Sequence, residues 1–375
     1  MMQESRSQWG TPPWRPATSV GMTMPHGKIS IPDVAIVGGG LTGVSTAYHL
    51  AKMGVRTAVF EAELVGDGAS GRTGGLVLEG AAVGILDQVD TCVPGLERLV
   101  NDENIDCDLK LPGCWEIEHR KKPGARMLPW SDDGRAVAIA RTVPGGVVEP
   151  AALTIGIAKS AIRLGSLIYE RARVSRLDIN GEMFLEIGNQ RIAPKYVVIA
   201  TNAWIDAKMS RGSSLHSSLT FACATESLSD ATLKAVGLGE NIPFYTCDTP
   251  YLWGRTTSDG RLIFGSGLVF SDPTEIETIN IREGSAFQIG DRLQKRVREL
   301  HPALFDVRID TFWGGPIAFT ENSVPLLGVH PDNEHLMVAG AYAGHGVALS
   351  VRAGELLALA IGQNQKLPEW GSLAR

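Results

Sequence analysis

Apolar residues in the segment 33–62 change their spacing twice. Residues 34–37 form a continuous apolar run, a glycine-rich turn and a helical pattern follow, and residues 57–60 form a second apolar run that ends at Glu61. Short apolar runs between turn residues are typical of buried parallel strands, and apolar residues at i, i+3 and i+4 are typical of a helix. The segment therefore predicts a complete βαβ unit of about 30 residues.

Helical and strand-like patterns alternate along the rest of the chain. Apolar residues recur at helical spacing, and so predict helices, over residues 81–110, 151–165, 282–300 and 347–361. Short stretches with turn residues between them predict β-rich regions over residues 111–145 and 216–270, with a hairpin turn at Asp259-Gly260. Residues 195–204 predict a buried parallel strand whose polar end reaches a ligand.

The length of the chain and its first residues bear on its domain organisation. With 375 residues, the chain is long enough that we expect two domains. Residues 1–30 carry four prolines among polar residues, and we predict that they form an irregular arm on the surface of the protein.

Charge and cysteine usage exclude several classes of protein. The formal net charge is −6, whereas a nucleic-acid partner requires a basic face. The five cysteines form no C-x-x-C pair and the histidines have no metal-ligand spacing, so we expect neither disulfides nor a metal site. No apolar run has the length of a membrane span, and no signal-peptide pattern is present. We therefore expect a cytoplasmic protein with reduced thiols.

The turn of the predicted βαβ unit carries the pattern G-x-G-x-x-G at Gly38, Gly40 and Gly43. In a dinucleotide-binding unit the first glycine permits the tight turn, the second lets the backbone approach a pyrophosphate, and the third lets the helix pack on the sheet. The phosphates then meet N–H groups at the positive end of the helix dipole. Glu61, 18 residues after Gly43, lies where a carboxylate accepts hydrogen bonds from an adenosine ribose. The segment therefore predicts a dinucleotide cofactor.

Two further glycine-rich turns are candidates for ligand contact. Residues 66–80 contain six glycines in 15 positions, too many for a regular helix, so they turn sharply or let a ligand touch the backbone. Residues 343–346 lie between a predicted strand and a predicted helix, an arrangement that presents helix N–H groups to a polar ligand.

Four segments together resemble the FAD-dependent D-amino-acid oxidase superfamily, which includes glycine oxidases and sarcosine oxidases. They read VGGGLTG with Glu61, GASGRTGG, VVIATNAW and AGHGVALS, and the resemblance extends over about residues 33–361. It implies an α/β protein with a Rossmann-like FAD-binding domain and a second, β-rich α+β substrate domain. The FAD domain would consist of residues 31–110, 146–215 and 311–375, and the substrate domain of residues 111–145 and 216–310.

The resemblance also implies which residues contact FAD. The implied contacts are Gly38, Gly40, Leu41, Thr42, Gly43, Glu61, Ala62, Ser70, Arg72, Thr73, Gly74, Gly75, Val174, Thr201, Ala203, Trp204, Gly344, His345, Gly346 and Val347. Covalent flavin attachment in this group uses a cysteine at a position where this chain has none, so we expect non-covalent FAD.

Two departures from the pattern bear on the substrate and on dioxygen. The amino-acid oxidases place an arginine before a proline to hold the substrate carboxylate, whereas here Gly315 precedes Pro316. The clamp is therefore either at Arg255 or not needed, and residues 313–325 and 248–267 look most like the γ-glutamylputrescine oxidase branch. Monomeric sarcosine oxidases use a lysine to activate dioxygen, and Ile263 stands at that position here.

The favoured reaction is oxidation of a carbon–nitrogen bond in an amine or amino acid to an imine, with reduced FAD reoxidised by dioxygen and hydrogen peroxide released. One alternative is a dehydrogenase that passes electrons to a quinone or a partner protein. Another is a flavoprotein subunit of a hetero-oligomer, and an oligomer is possible in either case.

Candidate catalytic and substrate residues follow from that reaction. The catalytic candidates are Arg72, Trp253, Trp313, Tyr342 and His345, and the substrate candidates are Glu79, Tyr251 and Arg255. An aromatic cage for the amine is expected from Phe244, Tyr245, Tyr251, Trp253, Trp313 and Tyr342. Each has an ordinary alternative: Arg72 ties down its loop, His345 is a structural imidazole, Glu79 is a solvated carboxylate, and any single aromatic is a core residue.

Overall fold

The computed structural model describes residues 7–14, 19–24, 28–119, 124–206, 209 and 215–373. Its α-helices are α1 (Leu41–Lys52), α2 (Cys92–Asp102), α3 (Pro150–Arg163), α4 (Asp230–Ala235), α5 (Gly284–Glu299) and α6 (Gly346–Gln363). Short 3₁₀ turns lie at Ser7–Trp9, Asn202–Trp204, Ile276–Thr278, Pro302–Leu304 and Glu369–Gly371.

The strands are β1 (Met22–Thr23), β2 (Val34–Val37), β3 (Thr57–Phe60), β4 (Leu76–Leu78), β5 (Cys114–Glu118), β6 (Arg126–Asp132), β7 (Arg135–Val143), β8 (Gly145–Val147), β9 (Leu167–Glu170), β10 (Val174–Asp178), β11 (Phe184–Ile187), β12 (Gln190–Ile192), β13 (Tyr196–Ile199), β14 (Leu215–Thr225), β15 (Phe244–Thr246), β16 (Trp253–Thr256), β17 (Leu262–Ser271), β18 (Ile309–Thr320), β19 (Leu326–His330) and β20 (Asn333–Gly340).

A seven-stranded sheet forms the core of the first domain. Its order is β1-β9-β3-β2-β13-β20-β19, parallel except for the antiparallel edge pair β19–β20. Strands β2 and β3 flank helix α1 in sequence and pair in parallel, so the βαβ unit predicted from the sequence is present. Helix α1 packs against α6 and α3. The fold is the predicted Rossmann-like arrangement.

Local capping explains where helix α3 begins and ends. The carboxylate of Glu149 accepts hydrogen bonds from the backbone N–H groups of Ala151 and Ala152, at 3.1 and 2.6 Å, and Pro150 occupies the first helical position. Gly165, with φ of +100°, supplies the left-handed conformation just after the helix.

An eight-stranded sheet forms the second domain. Its order is β18-β14-β17-β16-β15-β5-β7-β6, and its pairs are antiparallel apart from β5–β15. The hairpin at Asp259-Gly260 joins β16 to β17, as predicted. Strand β18 pairs with β14 from Ile309 to Thr320, so residues 311–320 belong to this sheet and not to the FAD domain to which the sequence assigned them. Because β18 is hydrogen-bonded to β14 along its whole length, it belongs to the domain of that sheet.

Two regions differ from the sequence-based expectations. Residues 81–91 are turns, and only Cys92–Asp102 is helical, because Gly84 and Gln88 adopt positive φ angles of 108° and 62° that a helix cannot contain. The N-terminal arm does not lie on the surface throughout. Trp9 is fully buried, and Met22–Thr23 pairs with β9. Burial of the large apolar indole of Trp9 is favourable, and it draws this part of the arm into the protein.

Helix α6 is, among the described helices, the one with the length and apolar character of a membrane span. Its mean hydropathy is 1.2, and 61% of it is buried inside the protein. Because it packs on α1, α2 and strand β4, the burial is that of a core helix.

Candidate active site

A large cavity lies where the two sheets meet. Its volume is about 1190 Å³, above the ~300–1,000 Å³ usual for a small-molecule site, so it has room for a dinucleotide and a second, smaller molecule. One end is lined by the carboxyl ends of β2 and β3, and the other by residues of β14, β16 and β18. Cofactor and substrate candidates therefore share one chamber.

The turn after β2 is built for close backbone approach. Gly38 has φ of +106°, and a Cβ there would lie 2.7 Å from the carbonyl oxygen of Ala200. A Cβ on Gly43 would lie 1.9 Å from the carbonyl oxygen of Gly38, so this residue packs helix α1 on the sheet and does not line the cavity. Gly40 is the N-cap of α1 and does line it. Gly38 therefore permits the tight turn, Gly40 lets a ligand approach the backbone, and Gly43 lets the helix pack on the sheet.

Glu61 fixes this turn from the end of β3. Its carboxylate accepts hydrogen bonds from the N–H groups of Gly39, at 2.6 Å, and Glu63, at 2.9 Å, and its side chain lies on the cavity wall. An acidic residue at the end of the second strand is where dinucleotide-binding units hold the adenosine ribose.

The second glycine-rich loop, residues 66–75, closes over the start of helix α1. The Ser70 hydroxyl accepts a hydrogen bond from the N–H of Leu41 at 2.9 Å. Arg72 is 2% exposed, and its guanidinium donates to three carbonyl oxygens, those of Asp67, Gly10 and Gly314, at 3.1, 2.8 and 3.3 Å. Arg72 lines the cavity, and its hydrogen bonds also connect the loop to the N-terminal segment and to β18.

The C-terminal glycine turn forms another part of the wall. Ala343 and Gly344 both have positive φ, and His345 is the N-cap of α6. Burial lowers the pKa of His345, so its ring is neutral at pH 7. The Tyr342 hydroxyl bonds the Thr42 hydroxyl at 2.7 Å, which joins this turn to the start of helix α1.

Trp253 covers the substrate half of the cavity, and two glycines make room for its indole ring. A Cβ on Gly74 would lie 2.1 Å from that ring, and a Cβ on Gly265 would lie 2.0 Å from it. Trp313 is 1% exposed, lines the same half, and donates its indole N–H to the carbonyl oxygen of Arg72 at 2.9 Å. The indoles of Trp253 and Trp313 are therefore held by specific neighbours on both domains.

Two tyrosines line the substrate half, and each gives its hydroxyl proton to the protein. Tyr245 donates to the Glu116 carboxylate, and Tyr251 donates to the carbonyl oxygen of Gly267 at 2.8 Å. The Tyr251 hydroxyl also lies 2.8 Å from the hydroxyl of Thr220. Burial raises the pKa of Tyr251 to about 12, and burial with Glu116 raises the pKa of Tyr245 still further. Both hydroxyl protons are therefore already donated to protein acceptors.

Most of the predicted site residues line this cavity. They are Gly38, Gly40, Leu41, Thr42, Glu61, Ala62, Ser70, Arg72, Thr73, Gly74, Val174, Thr201, Trp204, Tyr251, Trp253, Trp313, Tyr342, Gly344, His345, Gly346 and Val347. Gly43, Gly75 and Ala203 pack behind the wall, because a glycine or alanine at a helix–strand contact supports the backbone without facing the ligand.

Three substrate-side candidates lie outside the cavity. The Glu79 carboxylate accepts from the N–H groups of Cys92 and Val93 and so caps helix α2. Arg255 is 3% exposed, donates to the carbonyl oxygen of Gly74, and lies 5.1 Å from the centre of the Trp14 ring. Burial lowers its pKa to about 10. Phe244 is fully buried between Trp130 and Phe264, as an ordinary core residue.

Strand β14 supplies wall residues that the sequence did not single out. Thr220, Phe221 and Ala222 line the cavity, opposite Gly315, Gly314 and Trp313 in the β14–β18 register. Arg173 and Arg176 line the far end beside Val174. Nothing local marks these residues, because their position depends on pairing between strands about 90 residues apart.

The cradle fits an FAD molecule. Gly38 and Gly40 keep the first turn free of side chains, Glu61 faces it, and the cavity continues from there past Arg72 to the indole of Trp253. Glycine turns at a helix start, an acidic residue after the second strand and a long mixed cavity are typical of a dinucleotide-dependent oxidoreductase.

Comparison with known proteins gives the family. Residues 33–360 match the family described as DAO, FAD dependent oxidoreductase, and the chain belongs to it. It is 29% identical to the gamma-glutamylputrescine oxidoreductase of Escherichia coli (strain K12), over 87% of this chain and 82% of that one.

Two solved structures share the fold. Glycine oxidase from Geobacillus kaustophilus has a TM-score of 0.72 at 20% identity and covers 92% of this chain and 98% of its own. L-proline dehydrogenase from P. horikoshii has a TM-score of 0.73 at 19% identity and covers 93% of this chain and 98% of its own. The family match confirms the predicted family, and the two structural matches confirm the predicted fold.

Proposed function

We propose that this FAD-dependent oxidoreductase oxidises the carbon–nitrogen bond of an amine that lacks an α-carboxylate, and that dioxygen reoxidises the flavin. The observation that carries the proposal is the direction of the hydrogen bonds at Tyr245 and Tyr251. Since both hydroxyls donate to the protein, neither offers its proton to a substrate, and the Tyr251 oxygen also lies 2.8 Å from the Thr220 hydroxyl. A carboxylate needs hydrogen-bond donors and finds none in these two hydroxyls, whereas a neutral amine does not depend on them.

The charges around the substrate half support the same class of substrate. A buried carboxylate needs a cationic partner. Arg72 donates from Nε and Nη1 to backbone carbonyls, Arg255 lies behind Gly74, and burial lowers the pKa of His345. Gly315 occupies the position where the amino-acid oxidases carry their arginine.

The wall residues have three tasks in this reaction. Trp253 and Trp313 exclude water and disfavour the charged ammonium by desolvation, which leaves the amine lone pair available. Tyr245 and Tyr251 shape the chamber around the nitrogen and offer no hydroxyl proton to a carboxylate. Bound FAD supplies the oxidising chemistry, acceptance of a hydride equivalent from the carbon next to nitrogen. No residue is required as a dedicated base, because position and a neutral amine suffice.

The test is anaerobic bleaching of the flavin absorbance with a panel of primary amines, N-methyl amines, diamines, glycine, D-alanine and L-proline. We expect the amines to reduce the flavin faster than the α-amino acids. Faster reduction by glycine or D-alanine than by every amine would refute the proposal.

One observation favours an electron acceptor other than dioxygen. Ile263, at the position of the oxygen-activating lysine of sarcosine oxidases, is fully buried in an apolar cluster with Ala222, Ala224 and Trp313. A dehydrogenase that reduces a quinone or a partner protein is therefore the alternative, as is a flavoprotein subunit that needs such a partner. Hydrogen peroxide formed in step with amine oxidation supports the oxidase, and turnover only with added quinone supports the dehydrogenase.

A further inference from the structure

The segment from Ser7 to Trp14 precedes the residues that match the family, yet it packs against the cavity wall. Gln8 anchors it: its side-chain amide donates to the carbonyl oxygen of Glu277 at 2.7 Å, and its own carbonyl accepts from the N–H of Ile281 at 3.0 Å. Both partners lie in the loop between β17 and helix α5. The segment is therefore fixed to the substrate domain along a defined line.

Trp9 and Gly10 bind the flavin-side loop. The Trp9 ring lies 5.5 Å from the Arg72 guanidinium and stacks on Trp204 at 6.2 Å, and both partners line the cavity. The carbonyl of Gly10 accepts the Arg72 hydrogen bond at 2.8 Å. Gly10 has φ of +69°, and a Cβ there would lie 2.3 Å from the Phe312 carbonyl oxygen. Only glycine allows the chain to pass so close to β18.

Trp14 joins three parts of the wall. Its indole N–H donates to the carbonyl oxygen of Gly71 at 3.2 Å. Its ring meets the edge of Trp313 at 5.3 Å and an interplanar angle of 85°, and the Arg255 guanidinium lies 5.1 Å from the ring centre. Arg255 in turn donates to the carbonyl oxygen of Gly74. Trp14 therefore contacts the glycine-rich loop, β18 and β16 at once.

We infer that residues 7–14 are a positioning segment of the flavin site, which holds Arg72, Trp313 and the loop 66–75 against the cavity and so sets the affinity and the environment of FAD. The inference rests on flavin binding alone and is independent of which amine is oxidised. It gives a role to Trp9 and Trp14, neither of which lies in the range matched by the family.

The physical reason is the burial of a cation beside the cofactor. Arg72 is 2% exposed, and a buried guanidinium is tolerated only when its donors find acceptors. The Gly10 carbonyl is one of those acceptors and the Trp9 face lies against the charge. Without the segment, Arg72 and the loop that closes over helix α1 would lose their fixed geometry before FAD binds, and binding would have to restore it.

The test compares FAD binding by Trp14→Ala and Trp14→Phe with that of the unchanged protein, using fluorescence of free flavin to obtain the dissociation constant. We expect Trp14→Ala to weaken binding by about three- to tenfold, the equivalent of one aromatic contact, and to shift the visible absorption band of bound flavin. Trp14→Phe keeps the edge contact to Trp313 and loses the N–H bond to Gly71, so its effect should be smaller.

Trp370→Ala is the matched control. Trp370 is also half-buried and donates its indole N–H to a backbone carbonyl, that of Asp87 at 2.8 Å, but it does not line or support the cavity. The inference is overturned if Trp14→Ala binds FAD with the normal constant and spectrum, or if Trp370→Ala causes an equal loss. Should Trp14→Ala fail to fold, as judged by the unfolding midpoint of the flavin-free protein, unchanged binding and spectrum in Trp14→Phe would overturn it as well.

Discussion

The two ends of the cavity have walls of different kinds, and we propose that FAD binds along one and the substrate at the other. At the nucleotide end the wall is backbone: glycine turns at the carboxyl ends of parallel strands, with Glu61 to fix them. At the substrate end the wall is side chains: Tyr245, Trp253 and Trp313 lie on strands of the eight-stranded sheet, and Tyr251 lies in the loop just before β16. Backbone recognition depends on absent side chains and tolerates no addition, whereas side-chain recognition can be adjusted residue by residue. Variants at the two ends should therefore fail in different ways.

The largest effect is expected at the nucleotide end, from Gly40→Val. A Cβ on Gly40 would already lie 2.9 Å from the Ser70 hydroxyl oxygen, and the valine would fill the space beside the helix start that the pyrophosphate needs. We expect no measurable FAD in the purified protein. Gly95→Val is the control, since a Cβ at Gly95 in helix α2 meets nothing within 4 Å. Normal flavin content in Gly40→Val would contradict the assignment of this turn.

At the substrate end, Trp313→Phe should change rate rather than binding. Loss of the indole N–H bond to the Arg72 carbonyl lets the reaction chamber shift, and misplacement of about 1 Å costs up to roughly 100-fold in rate. Stopped-flow flavin reduction should slow at saturating amine while FAD remains bound. Trp130→Phe removes a similar buried N–H bond, to Val236, away from the cavity and should leave the rate unchanged. If only the apparent dissociation constant for amine changes, Trp313 is an entrance or packing residue.

A smaller loss is expected from Glu61→Gln. The substituted amide cannot accept both backbone hydrogen bonds, from Gly39 and Glu63, or keep the charge-assisted contact to ribose, so FAD binding should weaken by about 1–3 kcal/mol. The measurement is equilibrium dialysis with FAD. Glu149→Gln is the control, because the Glu149 carboxylate also accepts two backbone N–H bonds, at the start of helix α3, but does not line the cavity. Equal effects of the two variants would mean that charge alone, and not position, matters.

The pH dependence of amine capture should show whether a residue of the cavity wall or the amine itself titrates. Burial lowers the pKa of His345 and raises the pKa of Tyr245, Tyr251 and Tyr342, so all four are neutral from about pH 7 to 10. Capture of the neutral amine should then rise about tenfold per pH unit up to the pKa of the amine itself. Two amines of different pKa should give inflections that differ by the same amount. A shared inflection would mean that a group of the protein titrates instead.

Much of the nucleotide end could be predicted from the sequence. Turn, helix and acidic residue lie within residues 33–62, and their geometry is set by short-range rules on glycine φ, helix start and strand alternation. The same rules wrongly predicted a helix over residues 81–91. The apolar spacing there is helical, but Gly84 and Gln88 have positive φ angles. Local pattern does not reveal which turn residues adopt positive φ.

The substrate end could be predicted only as a list of aromatic candidates. Tyr245, Tyr251, Trp253 and Trp313 line the cavity whereas Phe244 does not, although it neighbours Tyr245 in the same strand. Strand alternation turns adjacent residues to opposite faces, and the sequence does not state which face meets the cavity.

The family and the Rossmann-like fold could be predicted from the sequence, because the βαβ unit lies within residues 33–62 and its geometry follows short-range rules. Only the tertiary structure decided the rest. It places Glu79 and Arg255 outside the cavity, β18 in the eight-stranded sheet, and Trp9 and Trp14 against the cavity-lining residues Trp204 and Trp313. Those outcomes depend on pairing and burial between residues far apart in the chain, where the free energy is decided by complementary neighbours and not by local propensity.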